Sequence, residues 1–195
     1  MTVPLYQTDS YLREFTAAVT AVDEAAHAVL LDQSAFYPGG GGQPCDQGWL
    51  WVGAEKLTVE KVKKGPEGAL HFLSADCPLP AVGTALRGEL DWERRYALMR
   101  THTAMHILCG VVFRDYGAQV TGGDMEPLQG RMDFEFEALS KDLVGLIEAA
   151  VNAEVAAAHP VRVQILPREE AFQIPDLIRT KINLLPPGIP EVRTV

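Results

Sequence analysis

The chain has 195 residues, 47% of them hydrophobic and 22% charged, with a mean hydropathy of +0.01, which excludes a disordered tail and allows one or two packed domains. Lysine plus arginine (17) against aspartate plus glutamate (26) leaves a formal charge of -9, which excludes a protein that coats nucleic acid by bulk charge. A local basic surface stays compatible with that balance, because net charge says nothing about where the charges sit.

Up to about residue 90 the text reads as short strands. Residues 15–22 alternate loosely, 27–32 form an apolar run, and 49–62 carry Trp-Leu-Trp-Val followed by Leu57 and Val59. Residues 68–73 and 83–91 extend the pattern, with Gly and Pro at short intervals, which predicts a small antiparallel barrel or sandwich. At Asp91 the period changes to three- and four-residue steps through Trp92, Tyr96, Met99, Thr103, His106 and Leu108. A long helix capped by Asp91, with Glu93 in its first turn, is predicted there. Residues 129–137 alternate as a half-buried strand, and 141–158 form a second helix with Leu143, Leu146, Ile147 and Ala150 on one face. Residues 161–166 alternate again, and the remainder is a Pro- and Gly-rich loop. The division expected is β in 1–90 and α/β in 91–195.

Cys45, Cys77 and Cys109 are odd in number, widely spaced and form no CxxC pair. Neither a secreted disulfide framework nor a four-cysteine zinc module is encoded, so a reducing compartment is expected. The first ten residues hold no basic stretch followed by an apolar one, and no apolar run is long enough for a bilayer. A cytoplasmic protein without a membrane partner is the expectation.

Four consecutive glycines, Gly39 to Gly42, lie between Phe36-Tyr37-Pro38 and Gln43-Pro44. Such a run costs conformational entropy. It is either a flexible hairpin or a backbone left bare for close approach of a ligand. Neither GxGxxG before a helix nor GxxxxGK[ST] is present, so nucleotide-phosphate motifs do not account for it. His102 and His106 stand at i and i+4, one turn apart on the same helix face, the spacing at which two imidazoles reach one metal ion. No Glu follows the first His as in HExxH, which excludes that protease chemistry. Cys109 shares the face, as a third ligand or as a small core thiol.

Residues 34–48, Ser-Ala-Phe-Tyr-Pro-Gly-Gly-Gly-Gly-Gln-Pro with Asp46 and Gly48, and residues 91–106, from Asp-Trp-Glu-Arg-Arg to the two histidines, together resemble the editing domain of alanyl-tRNA synthetase and its free-standing AlaX relatives. Residues 119–134, with Gly122-Gly123 and Arg131-Met132-Asp133-Phe134, resemble the next stretch of that family. The resemblance implies an α+β fold, a glycine-rich antiparallel β-barrel domain followed by an α/β editing domain with the HxxxH helix. It implies hydrolysis of the ester that joins a wrong amino acid, chiefly serine and sometimes glycine, to tRNA(Ala), with no DNA partner. It makes His102 and His106 two ligands of zinc, puts Gln43 and Ser34 in the catalytic group, and sets Gly40, Gly41, Gly42, Arg100 and Arg131 against the substrate. A Ser34 hydroxyl bonded to a substrate serine side chain would be left unpaired by alanine, which discriminates the two.

The family's remaining zinc ligands come from a later Cys-x-x-x-His, which these 195 residues do not contain. With two protein ligands the expected zinc affinity is weak, or the metal is absent. Lys56, Lys61, Lys63, Lys64, Arg94, Arg95 and Arg100 are the candidate tRNA contacts; as a plain alternative they are solvated faces, with Arg94 and Arg95 paired to Asp91 or Glu93. Two other functions stay open at this point: a noncatalytic RNA- or protein-binding relative, and a hydrolase of another small ester or amide.

Overall fold

In the computed structural model, which describes residues 2–183, 185 and 187–195, the chain divides into two compact units, Met1–Arg100 with Met125–Gln129 and Thr101–Asp124 with Gly130–Val195. The first unit is built on alternation, interrupted at bulges. Strand β1 (Val3–Pro4) leads through a 3-10 turn at Leu5–Gln7 into β2 (Glu14–Asp23), followed by β3 (Ala28–Leu31), β4 (Gln33–Ser34), β5 (Gly48–Val52), β6 (Glu55–Gly65), β7 (Gly68–Leu73) and β8 (Ala85–Leu90). Six of these close into a barrel in the order β2-β3-β7-β6-β5-β8, with every neighbouring pair antiparallel. Closure leaves no open edge among these strands. The short β1 and β4 pair in parallel beside it.

Inward-facing positions fill the barrel: Phe15, Ala17 and Val19 from β2, Val29 and Leu31 from β3, Leu50 from β5, Leu57, Val59 and Val62 from β6, Leu73 from β7, Leu86 and Leu90 from β8. The spacing Val59 to Val62 breaks the period of two, and the register shows why. Val59 pairs with Leu73 but Lys61 pairs with Phe72, so one extra residue is bulged out and Val62 returns to the interior. Two glycines let strands and rings approach. A Cβ on Gly88 would lie 2.3 Å from the Phe15 ring, and one on Gly48 would lie 2.2 Å from the Glu89 carbonyl oxygen.

Helix α1 (Trp92–Tyr116) starts where Asp91 Oδ1 accepts from the Arg94 backbone N–H at 3.1 Å, the cap expected of an Asp there. The expected division at residues 90 and 91 lies at the start of this helix, whereas the two units divide inside it, at Arg100. Its buried positions are Arg95, Leu98, Thr101, Val111 and Val112. The face expected from Trp92, Tyr96, Thr103 and His106 is instead half or fully exposed, because the residue that anchors the helix is a charged one that an apolar count passes over.

The second unit adds most of a hairpin of β9 (Val120–Glu126) and β10 (Gln129–Phe134), whose tip Met125–Gln129 is counted with the first unit, then helix α2 (Lys141–Ala157), β11 (Gln164–Pro167), the single turn α3 (Arg168–Ala171) and β12 (Glu191–Thr194). Strands β11 and β12 pair antiparallel. Its core gathers Val112, Ala118 and Ile147 with Leu108, Phe134, Phe136, Leu143 and Val151. Ser140 caps α2 by accepting from Leu143 N–H, and the helix ends at Ala158 in the left-handed region (φ 49°). Leu146, expected on the buried face of α2, is 62% exposed, and Ile147 takes the inward position. Among the described residues no helix is long and apolar enough to cross a membrane.

Candidate active site

In the first unit the candidate residues sit on the segment that leaves β4. All four glycines of the run have positive φ (81°, 129°, 62° and 83° for Gly39 to Gly42), a conformation that side chains with a Cβ rarely adopt. Gly40 N–H donates to the Gln43 carbonyl at 3.0 Å and Gln43 N–H to the Gly40 carbonyl at 3.2 Å. A tight turn with Gly41 and Gly42 at its centre results, of the kind that requires φ > 0 at both central positions. Gly40, Gly41 and Gly42 are exposed, and a Cβ on Gly41 would meet nothing within 4 Å. The Gly42 carbonyl accepts from Met125 N–H at 3.1 Å. The run is thus an ordered turn with an uncovered backbone, and Gln43 closes it while remaining half-buried.

What holds that turn is a buried ion pair that sequence reasoning did not single out. Asp46 is 1% exposed and Arg95 4%. Arg95 Nε donates to both Asp46 carboxylate oxygens at 3.0 Å and Nη2 to Oδ2 at 2.5 Å. The other donors of Arg95 reach the carbonyls of Ser10 and Ala35. Asp46 also accepts from Tyr37 N–H at 2.6 Å, while its own N–H donates to the Tyr37 carbonyl. Both charges are therefore almost fully satisfied, the condition under which a buried pair is tolerated. Arg95, expected as a tRNA contact or as a partner of Asp91 or Glu93, has neither role here. Arg94 caps the same loop more loosely, its Nη2 lying 3.4 Å from the Cys45 carbonyl oxygen.

Ser34 is fully buried, and its hydroxyl is engaged from within the barrel. Ser34 Oγ lies 2.8 Å from His71 Nε2 and accepts from Phe36 N–H at 3.1 Å. His71 Nδ1 faces the Val29 carbonyl at 3.3 Å. A carbonyl only accepts, so Nδ1 carries the proton, Nε2 is the acceptor and the Ser34 O–H donates to it. The hydroxyl expected to meet a substrate side chain is instead spent on fixing the strand that leads into the glycine turn. Burial pushes His71 down to about 4, so the ring is neutral at ordinary pH. An HxF on a strand, His71 between apolar neighbours, was the available signal.

In the second unit His102 and His106 lie one above the other on α1. Their rings stack at 4.8 Å with 11° between planes, and the two Nε2 atoms are 3.0 Å apart. Tetrahedral zinc with Zn–N of about 2.0–2.1 Å places two ligand nitrogens about 3.3 Å apart, near the separation found here. The ring edges reach solvent, yet crowding by the surrounding protein strips their hydration and lowers both pKa values, His102 to about 4. His106 adds to the shift of His102, as does Arg193; Arg179 adds to that of His106. Both rings are thereby kept as neutral nitrogen donors.

Cys109 is half-buried and its thiol is pushed up by burial. Among the described residues no group of three or more His, Cys, Asp or Glu side chains converges on one point, so Cys109 does not join the histidines as a third ligand. Arg131 is exposed on β10 and pairs loosely with Asp124 at 3.7 Å and Asp133 at 3.5 Å. Arg100 is exposed on α1, in the first unit.

The glycine turn of the barrel and the two stacked imidazoles on the helix that follows it are the features to set beside known proteins. Residues 8–94 match the family model described as tRNA synthetases class II (A). The alanyl-tRNA editing protein AlaX-M of Saccharolobus solfataricus is 40% identical over 198 residues, covering 100% of this chain and 81% of that protein. The AlaX-M protein of Methanosarcina mazei is 37% identical over 202 residues, covering 100% and 80%. The alanine–tRNA ligase of Pyrococcus furiosus is 39% identical over 170 residues, 86% of this chain but 18% of the ligase. The chain belongs to the AlaX-M family of alanyl-tRNA editing proteins.

Proposed function

We propose that this protein is an aminoacyl-tRNA deacylase that hydrolyses the ester between a wrongly attached amino acid and tRNA(Ala), with serine as the chief target and glycine as a second. The observation that carries this reading is the relation over the full chain, 40% identity to an editing protein. The reaction asks little covalent chemistry of the protein. Water adds to the ester carbonyl carbon, and the carbonyl oxygen takes up negative charge. The bond to the ribose oxygen then breaks, and that oxygen leaves with a proton as the ribose hydroxyl. A positioned water, a proton acceptor and donors for the developing oxyanion are sufficient.

The residues fit those tasks by type. His102 and His106 are neutral at physiological pH, so their Nε2 atoms are available as zinc ligands, or one of them can take the proton of the attacking water. Zinc held by these two nitrogens would polarise the ester carbonyl or a water molecule. The exposed turn at Gly40, Gly41 and Gly42 offers backbone without side chains to an incoming aminoacyl group, and the Gln43 amide can both donate and accept. In this reading Ser34 acts through Phe36 and the turn, not on the substrate. Arg100 and Arg131 are exposed cations suited to phosphate.

Incubating Ser-tRNA(Ala) and Ala-tRNA(Ala) with the protein, with zinc supplied, tests the reading: faster loss of the seryl ester is expected, and equal, uncatalysed loss of both overturns it. One observation favours a second reading, a noncatalytic RNA-binding relative, since the described residues bring only two imidazoles together. Affinity for tRNA(Ala) without hydrolysis, even with zinc present, would select it.

A further inference from the structure

Four of the chain's six lysines lie on one strand. Lys56, Lys61, Lys63 and Lys64 of β6 are all exposed, and none has a carboxylate within ion-pair distance among the described residues. Several cations elsewhere in the protein are paired with carboxylates. Arg87 pairs with Glu14 and Glu89, Arg95 with Asp46, Arg114 with Asp115 and Glu154, and Lys181 with Glu135. Glu55 and Glu60 share β6 with the lysines but bond to none of them, so Glu55–Gly65 carries four positive side chains against two negative ones in a chain of charge -9.

Beside two of the four, aromatic rings take the place of carboxylates. Lys56 Nζ sits 3.8 Å from the centroid of Trp49 and 5.2 Å from that of Trp51, and Lys63 Nζ sits 5.7 Å from that of Phe72. A carboxylate would cancel an ammonium charge; a ring face holds the stem in place and leaves the unit charge projecting outward. Lys61 and Lys63 are two residues apart on one face, about 7 Å along the strand, a separation that successive phosphates of one strand can meet. Lys64 lies at the end of the row and lines an open hollow of about 190 Å³ together with Tyr6, Gly68 and Pro38. Pro38 is the residue before the glycine run, so the row of cations ends beside the turn.

We infer that the outer face of β6, with Lys56, Lys61 and Lys63, continued by Lys64 at the rim where the strand ends, is the surface on which the protein holds the sugar-phosphate backbone of its tRNA. The inference rests on the deacylase reading for the identity of the RNA. An acidic protein partner would also satisfy the charge, but aromatic rings beside exposed cations suit nucleic acid, which offers both phosphates and flat bases.

The test compares the native protein with the triple variant Lys61→Gln, Lys63→Gln, Lys64→Gln, with Lys141→Gln on α2 as the control. Dissociation constants for uncharged tRNA(Ala) are measured by filter binding across a salt series, and KM and kcat are measured on Ser-tRNA(Ala). Loss of three phosphate contacts is expected to weaken binding roughly ten- to a hundred-fold and to lower the slope of log K against log salt by about 2 to 3. KM should rise by the same factor with kcat unchanged, and the control should match the native protein. Unchanged affinity and salt slope in the triple variant overturn the proposal and point to a protein partner. If the native protein binds tRNA(Ala) but hydrolyses nothing, the deacylase reading fails by itself, and the binding arm still decides the surface.

Discussion

At the scale of single residues, stability and loop geometry depend on two polar clusters inside or against an apolar barrel. Asp46→Asn removes the charge that compensates buried Arg95, and an uncompensated buried charge costs about 3–5 kcal/mol. A urea titration should show that loss; a midpoint within error of the native one would refute the role given to the pair. His71 adds a pH dependence. Its folded pKa is lowered to about 4, while the unfolded chain takes the proton near 6.5, so stability rises with pH between those values. This contribution is complete above about pH 6.5, falls as the pH drops and is lost below about pH 4, a change of about 3 kcal/mol. His71→Gln should therefore show a flatter stability profile between pH 7 and pH 4 than the native protein, and parallel profiles would count against a neutral buried ring.

Elements respond to backbone approach more than to side-chain chemistry. Strands β5 and β8 run so close at Gly48 that a Cβ there would lie 2.2 Å from the Glu89 carbonyl oxygen and 2.9 Å from Asp91 N. Because both neighbours are backbone, Gly48→Ala cannot be relieved by a rotamer change and must part the two strands. The expected result is a loss above 2 kcal/mol or so, the upper part of the overpacking range, with the near-ultraviolet circular dichroism of Trp49 and Trp51 diminished. Gly41→Ala is the informative contrast. Nothing lies within 4 Å of its would-be Cβ, so only the positive φ of 62° is strained, a cost of about 1–2 kcal/mol. Deacylation by Gly41→Ala should fall more than this mild destabilisation accounts for if the bare turn receives the substrate.

At the scale of the molecule, one helix belongs to both compact units. Arg100, where they divide, is exposed and makes no ion pair among the described residues. Arg100→Ala should change stability by no more than about 0.5 kcal/mol. Arg100→Pro removes a hydrogen bond in the interior of α1 and costs about 3 kcal/mol. Hydrogen exchange should then show faster amide exchange in α1 on both sides of residue 100; protection retained on either side would mean that the two helix segments are stable independently.

Much of this architecture is legible without coordinates, and the reasons are local. Apolar residues at alternate positions make the barrel strands, Asp91 marks the start of α1, and four glycines in a row demand a turn that other residues avoid. The HxxxH pair follows from helical pitch alone. Leu146 and the outward face of α1 were not legible, since periodicity names two possible faces and only the packing that buries Ile147 in α2 and Arg95 in α1 chooses between them. By itself, then, the sequence determined which segments are strands and helices and which residues bear chemistry, because those properties depend on neighbours within a few positions. Only the tertiary structure decided that Asp46 belongs to Arg95, that the Ser34 hydroxyl belongs to His71, and that Lys56 and Lys63 of β6 have rings instead of carboxylates beside them. Asp46 and Arg95 lie 49 residues apart and Ser34 and His71 lie 37 apart, and the energy of a charge or hydroxyl is set by what the closed chain brings within a few ångströms of it.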